Sequence, residues 1–157
     1  MSDTLESDTI TLSGEAREVA LAEAQAVRAM AQGDDMRAQL AELAAAVADG
    51  AVAGSAAELL ESVLELGMQS GRIRAIYGPG GEQAAVSTLR RLPRGRERGE
   101  SAREVSNALQ ALAGKTLDGL TLAAVGPGAF TLTIDAGGVE ASIRLDRSGA
   151  RLTSVGT

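Results

Sequence analysis

The chain predicts an α+β fold: an N-terminal Ala-rich helical hairpin or bundle, then a helix packed on a C-terminal four-stranded antiparallel β meander. Three observations predict it. Apolar residues of the first half recur at spacings of four and three, the period of one helix face. From Gly119 the apolar period becomes two, as in half-buried strands. Gly-containing turns then cut the second half into four short runs.

Residues 1–13 read as a polar tail, in which Thr9-Ile10-Thr11-Leu12 alternates and suits a short edge strand. Residues 14–100 read as a helical region with a basic loop, and 101–157 as a helix plus the meander. Glu15 to Gln32 is Ala-rich and helical until Gly33, and Asp34 suits the cap of the next helix. There Met36, Leu40, Leu43 and Val47 make a seam for another helix, closed by Asp49-Gly50. Ser55-Ala56-Ala57-Glu58 has the form of a capping box, and Leu59, Val63 and Leu66 continue the seam spacing. Gly67 and Gly71 mark the end of that third helix.

Arg72 to Tyr77 resumes order, and Gly78-Pro79-Gly80-Gly81 is a turn by composition. Glu82 to Leu92 is a short helix stopped by Pro93. Arg94 to Gly99 reads as a mobile basic loop. Ser101-Ala102-Arg103-Glu104 is a second capping box, opening a helix with Val105, Leu109 and Leu112 on its apolar side. In the meander Leu120, Leu122 and Ala124 share one face. Phe130, Leu132 and Ile134 follow, then Ala141, Ile143 and Leu145, and the last strand runs from Arg151 to Val155.

With one Phe, one Tyr and no Trp, the core must be built of Leu, Val, Ile and Ala, which bury less area per residue than aromatics. Association is one way to bury more. The absence of Cys removes disulfides, thiol chemistry and thiolate metal sites. The absence of His removes the commonest general base and nitrogen ligand. The start Met1-Ser2-Asp3-Thr4-Leu5-Glu6 is unlike a signal peptide, and the longest uncharged run, Gly119 to Ile134, is too short to span a bilayer. A cytoplasmic location is expected. Arg supplies all but one of the basic residues, a ratio that reads as the codon bias of a GC-rich bacterial genome.

Charge is sorted along this acidic chain. Residues 1–70 carry 13 acidic and 3 basic side chains, a net of −10. Residues 71–103 carry 8 Arg and 3 Glu, a net of +5, and residues 104–157 sum to −1. Opposed blocks suggest electrostatic docking within or between molecules. The Gly78–Glu82 turn, beside Arg72, Arg74, Arg90 and Arg91, has the ingredients of an anion site. It lacks the third Gly of the dinucleotide fingerprint, since that position is Gln83, and the Gly-Lys-Ser/Thr of a phosphate loop. Nucleic acid is disfavoured by the missing aromatic platforms and the acidic whole.

These features predict a non-enzymatic interaction or assembly protein, an adaptor or scaffold, with no cofactor, no metal and no catalytic group. It is expected to form a homo-oligomer, or to bind an acidic protein surface. The predicted contact residues are the seam Met36, Leu40, Leu43 and Val47 and the basic segment Arg72, Arg74, Arg90, Arg91, Arg94, Arg96 and Arg98. The alternative is a regulatory module that binds an anionic ligand or nucleic acid through Arg72–Arg103.

Overall fold

The computed structural model describes residues 9–156, so residues 1–8 of the tail expected over 1–13 lie outside the described residues. Helices and a four-stranded antiparallel sheet make it an α+β protein. The chain forms two compact units, divided after Gly95.

The first unit is helical. It contains α1 (Gly14–Met30), α2 (Asp34–Asp49), α3 (Gly54–Gln69), α4 (Arg72–Arg91) and the first residues of α5 (Pro93–Leu109). Its core takes Val19, Ala20 and Ala24 from α1, Leu40, Leu43 and Val47 from α2, and Leu60 and Leu64 from α3. Ile73 and Ala85 come from α4, and Leu92 follows it. Alanine on the inner faces lets helix backbones come close, so aliphatic side chains fill the interior without aromatics. The expected edge strand is present as β1 (Ile10–Thr11). Its partner, β2 (Ala51–Val52), joins α2 to α3 and pairs antiparallel with Ile10 opposite Val52. The Leu12 N–H extends the ribbon by donating to the Gly50 carbonyl at 2.8 Å. Gly50 closes α2 in the left-handed conformation at φ 84°, which favours glycine, and a Cβ there would make a tight 3.2 Å approach to the Leu12 carbonyl oxygen.

Several helix ends differ from expectation. The residue preceding α2 is Gly33, with Asp34 already inside the helix, where its charge favours the positive end of the dipole. Helix α3 begins at Gly54 after Ala53, with no side-chain cap, so Ser55 lies in the first turn and does not close a capping box. The expected turn at Gly78 is a break inside α4, with φ 68° and ψ −167°, and Pro79 opens the helical segment that follows. Arg94 to Gly99 is helical, not a mobile loop: Pro93 is the first residue of α5, and Ser101–Glu104 falls inside that helix.

The second unit begins at Arg96 and carries the rest of α5, a 3₁₀ turn over Gln110–Leu112, and the meander. Its strands β3 (Leu117–Gly126), β4 (Ala129–Ala136), β5 (Val139–Asp146) and β6 (Gly149–Gly156) lie side by side in chain order. Leu122 faces Leu132, Leu132 faces Ile143, and Ile143 faces Leu152, so alternate residues form one continuous apolar face. Gly137 and Gly138, at φ 54° and 79°, make the tight turn between β4 and β5 with the right-handed twist of the strands. Val105 on α5 is buried, as are Ala136, Val139, Ala141 and Ile143 of the central strands. Arg98 of the same helix lies against the turn at Gly149, within 3.5 Å of the position a Cβ would take there.

No helix among the described residues is long and apolar enough to cross a membrane.

Candidate functional site

The basic segment meets the acidic block within the first unit. Arg72 Nε donates to Glu23 Oε1 at 3.2 Å, and the Tyr77 hydroxyl donates to the same oxygen at 3.2 Å. Arg94 Nε lies 3.1 Å from Glu61 Oε2, and its guanidinium also reaches Glu65 at 3.4 Å. Arg74 pairs with Glu82, and Arg91 donates to the Thr11 carbonyl at 3.0 Å. Arg96 and Arg98 also have interaction partners. Arg90 is exposed on α4 beside Arg91. The opposed blocks therefore join in cis at Glu23–Arg72 and Glu61–Arg94, and much of the segment's charge is neutralised where it sits.

Two of these carboxylates are buried and were not singled out from sequence. Glu61 is fully buried on α3 and accepts the backbone N–H groups of Arg94 at 3.2 Å and Gly95 at 2.9 Å. Those N–H groups belong to the first turn of α5, where a helix has no internal partners and its dipole is positive. A long-range cap of this kind explains why the Arg-rich stretch is helical. Glu23, 1% exposed on α1, holds Arg72 and Tyr77. Burial is the main cause that holds the Tyr77 phenol above its ordinary 10.0, with the Glu23 charge and hydrogen bond adding to it and Arg72 opposing. Both acids had a sequence signal. Glu61 interrupts the apolar stripe Ala57, Leu60, Leu64, and Glu23 interrupts Val19, Ala20, Ala24.

The turn expected to take an anion already faces this chain's own acids. A Cβ on Gly80 would lie 2.9 Å from Glu15 Oε1, which places that carboxylate at the start of the second half of α4. Glu82, in the following turn, holds Arg74.

The expected helix seam is core. Leu40, Leu43 and Val47 are buried within the first unit, and only Met36, 43% exposed, reaches the surface. Beside it, an open groove of about 330 Å³ between α2 and α3 is lined by Gln39, Glu42, Ser55, Ala56 and Leu59. No group of three acidic, His or Cys side chains able to hold a metal occurs among the described residues.

Apolar surface concentrates elsewhere, on the second unit. Leu120 and Leu122 of β3 are each 60% exposed, and Phe130 of β4, beside them on the same face, is 41% exposed. Leu117 and Val125, toward the two ends of β3, are also exposed. Strand β3 is the edge of the sheet, and all its residues except Gly119 are exposed.

Compared with family models, curated proteins and solved structures, the chain matches none of them.

Proposed function

We propose that the protein is a non-enzymatic interaction protein that assembles with itself, and that the contact surface is the β3 side of the meander. The observation that carries this reading is the exposed apolar row Leu120, Leu122 and Phe130. A contiguous row of large side chains is the surface whose removal from water drives association, at roughly 25 cal/mol per Å² buried. The sequence expectation of self-association is kept, and its surface moves. Leu40, Leu43 and Val47 of the seam lie in the core, and Arg72, Arg74 and Arg94 hold carboxylates of their own chain.

Light scattering at roughly 50 mM and 500 mM salt tests the reading, because that range changes screening strongly. The expected result is a mass above the 15.9 kDa of one chain at both salts, since burial of apolar surface does not weaken as charges are screened. A monomer at both salts overturns self-assembly. An oligomer that falls apart at high salt overturns the apolar surface and returns the contact to the charged segments.

A further inference from the structure

We infer that β3 is the edge at which two copies pair, antiparallel and about a two-fold axis, so that the two meanders become one continuous sheet. The inference rests on the self-association reading above and specifies its geometry.

An edge strand exposes backbone N–H and C=O groups to any passing strand, and stable proteins guard such edges with charge, proline or a bulge. The two edges of this sheet differ in that respect. Strand β6 carries Arg151 and is interrupted by a bulge at Thr153, whose hydroxyl donates to the Ser142 carbonyl at 2.9 Å. Strand β3 has no charge and no proline from Gly119 to Gly126. Its irregularities lie at the ends, between Leu117 and Gly119 and between Ala124 and Gly126, which leaves Gly119–Ala124 in regular register with β4.

The open edge fits a second copy of itself. Antiparallel pairing about a two-fold axis perpendicular to the sheet places both apolar faces on the same side, so Leu120 and Leu122 of one copy pack across the joint against Leu120 and Leu122 of the other and bury their facing sides. It also sets the two Asp118 carboxylates at opposite ends of the joint, whereas parallel pairing in register would stack them. The uncharged stretch Gly119–Gly126 imposes no like-charge penalty on pairing with its own image. The guarded β6 edge works in the complementary sense. Pairing of β3 with β6 of the next copy is a head-to-tail contact that leaves free edges and grows into a fibre, and Arg151 with the Thr153 bulge opposes it. One open edge and one guarded edge give a closed dimer.

The full chain has no Cys, so one introduced Cys takes one nitroxide label. Labels at Thr121, Ala123 and Val125 in separate variants report the joint by the distance between the two copies. Antiparallel pairing predicts a separation that changes by about 6.6 Å, twice the strand rise, for each residue moved away from the axis. A separation constant along β3, or no short distance at any of the three positions in a protein that is still oligomeric, overturns β3 pairing while self-association stands. A monomeric wild type overturns both. In parallel, Leu122→Lys is expected to weaken the dimer at least ten-fold and Ser154→Lys on β6 to leave it unchanged, each with an unaltered circular dichroism spectrum. Equal losses in the two variants overturn the assignment. If Leu122→Lys does not fold, the label distances decide.

Discussion

Glu61 on α3 accepts the backbone N–H of Gly95 at 2.9 Å, so a buried carboxylate from one helix caps the first turn of another 34 residues later. The Arg94 backbone and guanidinium complete the arrangement at 3.2 and 3.1 Å. A buried charge is tolerable where the oxygens are occupied by donors, and here both are. The same contact decides where α5 begins.

Removal of that carboxylate leaves α5 without its cap and opens a cavity on α3. Glu61→Ala is expected to lower stability by roughly 2–4 kcal/mol. Glu61→Gln keeps the volume and one acceptor but points an amide at donors, and is expected to cost about 1–2 kcal/mol. Urea unfolding midpoints measure both. Two equal and negligible shifts would contradict the cap.

Two helical glycines are expected to respond to alanine with opposite signs. A Cβ on Gly67 would lie 2.7 Å from Glu23 Oε2 and 2.8 Å from Ile73 Cδ1, inside the buried Glu23 cluster. Crowding there costs about 1–3 kcal/mol, more than the roughly 1 kcal/mol of helix propensity that alanine supplies. A Cβ on Gly99, exposed in α5, meets nothing within 4 Å. Gly99→Ala is therefore expected to raise stability by about 0.5–1 kcal/mol. Thermal melts of the two variants check the pair.

Tyr77 makes stability fall at alkaline pH. Its phenol keeps the proton to higher pH in the folded protein than in the unfolded chain, mainly through burial and then through Glu23. The unfolded chain thus releases that proton first. The contribution is intact below about pH 10 and is lost as pH rises through the folded value. Tyr77→Phe is expected to cost about 1 kcal/mol at neutral pH, by loss of the hydrogen bond to Glu23, and to flatten the alkaline decline. Tyr77 is the sole tyrosine and the chain has no tryptophan, so phenolate absorbance follows this one group.

At the β5–β6 turn Asp146 is held below its ordinary 3.8, first by the Ser148 hydroxyl, then by the Ser148 N–H, with Arg144 adding less. Ser148→Ala is expected to move the Asp146 titration up toward the ordinary value, as read by carboxyl chemical shifts against pH. The carboxylate favours the folded state above the unfolded value, and the gain is lost as pH falls through the lowered one. No movement in Ser148→Ala would refute the assigned cause.

The meander was legible because its signals are local. Gly137-Gly138 fixes a turn, and the alternation of Leu132 and Ile134 with Thr131 and Thr133 fixes a face. The helical seam was legible as a pattern but not as a destination. The spacing of Leu40, Leu43 and Val47 says that another helix covers them, and not whether that helix belongs to the same chain. The Arg94–Gly99 helix was illegible locally because its cap comes from Glu61, far away in sequence; the local clue was Pro93, a residue suited to a first helical position. The exposed edge was illegible for a related reason. Leu120 and Leu122 alternate as any core-facing pair does, and only strand order shows that β3 has no neighbour on one side.

The β1–β2 ribbon gives the chain a timetable. Ile10 pairs with Val52, and α1 and α2 lie between them in the sequence. Synthesis makes both helices before the partner of β1 exists, so β1 stays without that partner until α2 has been made. The clasp at Ile10 and Leu12 closes a loop that holds both helices, and the entropy cost of that closure is smaller where the helices inside the loop are already formed.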